Sequence, residues 1–226
     1  MIGEPNTISR IVELLHLPAS HTPEALREVY AEVSKSCGYD NFIRQPGGAR
    51  LESAEAEGGS VSRLTFGRDR VIFQEERTRS GLEHFVRKIE AVTKVAAPKL
   101  GIPLFVARTV TQRVIAAVPG SETGASFLAR TVFRIEPDDL AVLERPAQVV
   151  GVRLDFPGRQ PQDGAHRVRV ETYLRDQGAL YLEDIATYKV PVQSLDHAKI
   201  SGELHEVEEF VGGKLTEFLG GLNSRD

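Results

Sequence analysis

A run of short alternating strands followed by one long amphipathic helix occurs twice in this chain, near residues 61–100 and again near 147–222. A strand that alternates apolar and polar residues buries one face only, and the helix after it supplies an apolar stripe to cover that face. The pairing predicts an α+β fold of antiparallel sheets, built from two strand-run-plus-long-helix halves. A length of 226 residues suits a single domain, 1–226, with internal halves 40–120 and 146–226 and a helical connection over 121–145.

Two short N-terminal helices are predicted ahead of the first run. In TISRIVELLHL, Ile8, Ile11, Val12, Leu14 and Leu15 recur at helical spacing as far as Pro18. Thr22 then reads as an N-cap with Pro23 at the first helical position, and Leu26, Val29, Tyr30 and Val33 form a stripe that Gly38 ends. Gly47-Gly48, Gly58-Gly59 and Gly67 with Asp69 punctuate the hairpins that follow. Ser80 is the expected cap of a long helix carrying Leu82, Phe85, Val86, Ile89, Val92, Val95 and Ala96 on one face, closed by Pro98 and Gly101. IPLFVARTVTQRVIAAVP reads as a long strand whose apolar residues are interrupted by Arg108, Gln112 and Arg113, so part of it is expected to face water or a cavity. Ser121 and Pro137 open two connecting helices.

The second run places Val168, Val170, Thr172 and Leu174 on one sheet face and Arg167, Arg169, Glu171 and Tyr173 on the other. In the final helix, expected over 201–222, Gly212 and Gly213 interrupt the apolar stripe. They imply a kink or the close approach of another backbone, and they are the candidate interface residues of a homo-oligomer.

Charge and cysteine content narrow the function classes. Net charge is −4, yet residues 171–226 hold 11 Asp and Glu against 5 Lys and Arg, so the preceding part is net basic. Arg63, Arg68, Arg70, Arg77 and Arg79 crowd one stretch. Asp69, Glu75 and Glu76 share it, which favours a solvated hairpin of mixed charge over a nucleic-acid surface. The acidic second helix, with Glu24, Glu28 and Glu32, argues likewise against DNA recognition. Cys37 is the single cysteine, so no intrachain disulfide forms. No basic leader with an apolar core opens the chain and no apolar run reaches spanning length, so a cytoplasmic protein is expected, without membrane or secretion.

The candidate chemistry is sparse. Arg153, Arg169, Glu171 and Tyr173, with Asp155 and Glu183 nearby if the strands are neighbours, form the candidate ligand-binding cluster. Cross-strand ion pairing is the bland reading of the same pattern. His205 and Glu209 at i and i+4, with Asp196 and His197 upstream, have the types of metal ligands but the spacing of an ordinary acidic helix, and no metal is assigned. The paired glycines lack the helix and Lys-Ser/Thr of a phosphate loop, and no Gly-x-Ser-x-Gly elbow occurs. No catalytic residue and no cofactor are therefore assigned.

RIEPDDLAVLERP, VGVRLDF, VRVETYL and the terminal LHEVEEFVGGKLTEFL resemble a sporadically distributed bacterial family of uncharacterised proteins. That resemblance covers about the last 100 residues. It implies a prokaryotic cytoplasmic protein and carries no residue role. A curved antiparallel sheet holding a long C-terminal helix also resembles the helix-grip proteins, which implies an apolar ligand cavity. The leading expectation is a non-enzymatic binding or assembly protein that forms a homo-oligomer. A helix-grip-like ligand-binding domain comes second, and an enzyme using the arginine and carboxylate cluster third.

Overall fold

The computed structural model of the chain describes residues 2–55, 59–77, 80–120, 122–135, 139, 142–145 and 147–223. Strand β1 (Asn6–Leu15) leads to helix α1 (Pro23–Cys37), then to a meander of β2 (Asn41–Gln45), β3 (Gly48–Glu52), β4 (Val61–Phe66) and β5 (Arg70–Glu76), and to helix α2 (Leu82–Lys99). The chain returns through β6 (Leu104–Phe105), the long β7 (Ala107–Ala117) and helix α3 (Gly124–Thr131). A second meander follows, β8 (Gly151–Phe156), β9 (Ala165–Thr172) and β10 (Ala179–Tyr188). After β11 (Val192–Gln193) come helix α4 (His197–Glu209), a π-helical turn (Phe210–Leu215) and helix α5 (Thr216–Asn223).

Among the described residues nine strands form one sheet in the order β2-β3-β4-β5-β1-β7-β10-β9-β8, and every neighbouring pair is antiparallel. β6 and β11 make a separate two-stranded ribbon. The two strand runs are thus the wings of a single sheet, with β1 and β7 between them. No described helix is long and apolar enough to cross a membrane.

The segment expected as the first helix is β1, near the middle of the sheet. Its apolar spacing fits either period, because alternation is disguised: Arg10 faces the core and Ile11 the opposite side. Pairing with β5 on one edge and β7 on the other decides the outcome, helped by the β-branched residues Thr7, Ile8, Ile11 and Val12. The second helix forms as α1, with the Thr22 hydroxyl accepting from the Ala25 amide and Gly38 left-handed at the C-cap (φ 70°). Ser80 does not cap α2. Gly81 occupies that position and the Ser80 carbonyl instead accepts from Arg10. Thr123 caps α3; Ser121 lies outside the described residues, as do Pro137 and residues 138, 140 and 141 of the second expected connecting helix. In the last helix Gly212 and Gly213 sit within the π-helical turn, and the Thr216 hydroxyl donates to both of their carbonyls (2.7 and 2.8 Å), as the Thr93 hydroxyl does to Ile89 and Glu90 in α2. A Cβ on Gly213 would meet nothing within 4 Å and one on Gly212 only Pro5, at 3.9 Å. Neither glycine therefore marks a close approach of another backbone among the described residues.

Helices α1 to α5 pack on one face of the sheet, and the core there has two parts. Val12, Leu14, Leu64, Phe73 and Val110 pack under α1, α2 and α4, whereas Val114, Val168, Val170 and Leu182 pack under α3, the π-helical turn and α5. Burying each such side chain contributes roughly 1.5–3 kcal/mol. A polar row separates the parts, because Ser62, Glu75, Arg10, Gln112 and Asp184 are cross-strand partners in succession. Helix and strand side chains meet it: Lys88 donates to Glu75 (2.8 Å) and Ser62 (3.0 Å), Arg10 to Glu208 (3.1 Å), and His166 to Asp184 (2.6 Å). Beside this row Arg108 is 1% exposed and donates twice to Glu203 of α4 (2.7 and 2.6 Å). Arg108 and Gln112 thus face the core and not water, Arg108 against the buried Glu203 and Gln112 donating to the half-buried Thr7 hydroxyl (3.4 Å). Arg113 alone of the three points to the other face, which no described helix covers.

Candidate functional site

The open face carries its own cross-strand row. Glu76 of β5, Ser9 of β1, Arg113 of β7, Glu183 of β10, Arg169 of β9 and Arg153 of β8 follow one another in register. Their side chains interact at the centre of the row. Ser9 Oγ donates to Glu76 Oε1 (3.2 Å), Arg113 Nε to Glu183 Oε2 (2.7 Å), and the Tyr181 hydroxyl to the same Glu183 oxygen (2.9 Å). Arg169 Nε lies 3.5 Å from Glu183 and 3.8 Å from Glu171, with its guanidinium 5.0 Å from the centre of the Tyr181 ring. Glu183 is only 7% exposed. Burial works to raise its pKa, but the hydrogen bonds from Arg113 and Tyr181 prevail and hold it below the ordinary carboxylate range. Burial, with Glu183 adding to it against Arg169, raises the Tyr181 phenol.

Beside this network opens a cleft of about 720 Å³. Its lining runs along 6–9 of β1, then Glu76 and Arg77, Arg113, Tyr173, Arg175 and Tyr181. Local backbone irregularity makes the room. The pairing of β1 with β7 shifts register between Thr7 and Ser9, a bulge that leaves Ile8 unpaired with β7 and lets its carbonyl accept from the Arg77 amide (2.7 Å). Arg77 is left-handed (φ 49°), a conformation that costs a non-glycine residue energy and clusters at functional sites. Its guanidinium rests on Gly59, where a Cβ would come within 2.4 Å of Nη1. A carboxylate oxygen of Glu55 lies at the same glycine, 3.2 Å from that Cβ position, so the Arg77 guanidinium has an acidic neighbour on the β4 side.

No protein-family model matches the chain, and no curated protein is detectably similar to it.

Of the four expected ligand-binding residues, Tyr173 lines the cleft, and Arg169 and Glu171 stand in the network at its edge. Arg153 lies one strand farther out, beside Arg169 and outside the cleft. Asp155 pairs with Arg167 (2.9 Å), away from it. Arg77, Arg113, Arg175 and Tyr181 were not singled out as ligand residues. Arg113 and Tyr181 follow from strand parity once β7 and β10 are known neighbours, whereas Arg77 and Arg175 follow strand ends and read as ordinary turn charges. Within the arginine-rich stretch, Arg63 pairs with Glu52 (2.7 Å) and Arg70 with Glu13 and Asp69, so neighbouring strands compensate both.

The histidine candidates do not converge. His205 bonds Glu83 (2.8 Å), Glu209 pairs with Lys214 (2.9 Å), Asp196 caps α4, and His197 shares a hydrogen bond with Thr93 (3.0 Å). Among the described residues no group of three or more His, Cys, Asp and Glu is arranged to hold a metal ion. Cys37 is buried, and burial raises its thiol pKa.

A second titratable cluster sits on the helix-covered side. His166 Nδ1 donates to the fully buried Asp184, its Nε2 lies 3.6 Å from Glu206 of α4, and the Phe210 ring packs against it (centroids 4.6 Å apart). Tyr188 donates to the other oxygen of Glu206 (3.1 Å). Burial opposes the imidazolium, but the bond to Asp184 and the charges of Asp184 and Glu206 outweigh it and raise the His166 pKa; burial raises that of Asp184.

Proposed function

We propose that this protein is a binding protein that takes a small organic anion in the cleft on the open face of its sheet. The carrying observation is the lining: three arginines and two tyrosines against a single glutamate, in a volume of about 720 Å³. Small-molecule sites occupy roughly 300–1,000 Å³, with a few fixed polar groups setting orientation. Guanidinium groups recognise carboxylate and phosphate by paired hydrogen bonds, and the tyrosine rings offer flat apolar contact. Binding is favoured over acid–base chemistry by the state of the floor. Tyr181 is held protonated and Glu183 ionised and hydrogen-bonded, so neither is poised to exchange a proton near neutral pH.

The helix-grip likeness pointed between sheet and helices. The crevice between α2 and α4, lined by Val86, Ile89, Ile200 and Leu204, has no room for a water molecule and offers no such cavity. Isothermal titration with phenyl phosphate tests the proposal. Saturable binding that Arg113→Ala weakens by about tenfold or more is expected. Absence of saturable binding at millimolar ligand contradicts it.

Homo-oligomeric assembly is the second reading, favoured by β8. It pairs with β9 on one edge only, most of its residues are exposed, and Phe156 (43%) and the preceding Val149 (50%) present apolar surface. Light scattering that gives a strict monomer across micromolar concentrations removes this reading. The single, buried, free cysteine suits a reducing compartment, and we extend the proposal to a cytoplasmic protein of bacterial type.

A further inference from the structure

Resting on the assembly reading of the β8 edge, we infer that two copies of this chain join β8 to β8 about a two-fold axis at Leu154, in the register that sets Arg153 opposite the partner's Asp155. β8 closes one end of the sheet, and no described strand pairs with its outer edge. The direction of its backbone groups follows from its inner pairing. The Val150 carbonyl accepts from the Thr172 amide (3.0 Å), so at alternate residues Val152, Leu154 and Phe156 turn their N–H and C=O groups toward β9. Gly151, Arg153 and Asp155 turn theirs outward, where a further antiparallel strand would meet them.

Charge selects the strand and the register. Arg153 is exposed, makes no ion pair among the described residues and stands opposite Arg169 of β9, a like charge. Asp155, also exposed, shares that face and pairs with Arg167 (2.9 Å). A two-fold axis at Arg153 or at Asp155 brings two like charges together, and one at Val152 sets Arg153 against Gly151. The axis at Leu154 gives each Arg153 a carboxylate, twice by symmetry, between residues whose backbone groups already face outward. On the helix-covered face the same register sets Leu154 against Leu154 and Val152 against the partner's Phe156. Val152 and Leu154 are partly buried against the core under α3 and α5, and the exposed Phe156 meets the Phe210 ring edge-on (centroids 5.7 Å apart), so this pairing extends the core across the axis. β2, at the other end of the sheet, carries Arg44 and no acidic residue, and offers Arg153 no partner.

Light scattering on the full chain at micromolar concentration, with cysteine crosslinking, tests the register. A dimer is expected. Because symmetry applies each change twice, Arg153→Asp and Asp155→Arg are each expected to weaken it about tenfold or more, and the double variant to restore it. Leu154→Cys is expected to give a covalent dimer on mild oxidation, since residues facing each other at a non-hydrogen-bonded position stand about 4.5 Å apart at Cα, within disulfide range. Val152→Cys, set against Phe156, is expected to give none, and Cys37, the single native cysteine, is buried. Circular dichroism confirms that each variant folds. A dimer that crosslinks through Val152→Cys and not Leu154→Cys, that the single charge changes leave intact, or that the double variant fails to restore overturns this register while assembly stands. A strict monomer overturns both.

Discussion

Single charged residues do unusual work inside this protein, and the clearest case is Arg108. It is fully buried, donates twice to Glu203 and once to the Val190 carbonyl (2.6 Å), and so ties β7 to α4. Such pairs add little over an apolar pair of equal volume, but removing one partner strands a buried charge. Glu203→Ala is expected to cost about 3–5 kcal/mol in chemical denaturation, and the double change Arg108→Met with Glu203→Leu to recover most of it. A single-variant cost under about 1 kcal/mol contradicts the burial of this pair. None of this was legible in the sequence. An inward arginine and an outward one look alike until the strand neighbours are known, and Arg108 and Arg113 lie five positions apart in the same strand. Arg77 was hidden for a different reason, because its left-handed backbone depends on a bulge in β1 that alternation cannot reveal.

At the scale of elements, α4 and the π-helical turn dock over the His166 cluster, and the titration of that histidine sets a pH dependence. Its folded pKa lies above the ordinary value of about 6.5. Its contribution to stability is therefore complete below that ordinary value and is lost as pH rises through the folded one. Asp184, Glu206 and Tyr188 are the groups that face it. Thermal denaturation followed between about pH 6 and 9 is expected to show a fall in stability that His166→Gln removes. An unchanged pH profile in that variant excludes the cluster as its source. The π-helical turn makes a separate prediction. With open space around the Gly213 Cβ position, Gly213→Ala is expected to stabilise the protein by about 0.4–1 kcal/mol in the same assay. Destabilisation instead points to an interface that the glycine keeps open.

Across the whole molecule, the parity of β9 was readable directly, with Val168 and Val170 inward and Arg167 and Arg169 outward, as were α1 with its Thr22 cap and the three glycine-marked hairpins. The order of strands was not, because β1 disguised its period and its central position depends on partners distant in the chain. That order brings together the ends of β5 and β9 with the bulge of β1, and with them every wall of the cleft. The account turns on which side of the sheet takes a ligand. Backbone amide shifts mapped during a titration with phenyl phosphate decide it. The largest changes are expected at Thr7–Ser9, Arg77, Arg113 and Tyr181. Changes centred on Val86, Ile89 and Leu204, in the crevice between α2 and α4, would contradict the account.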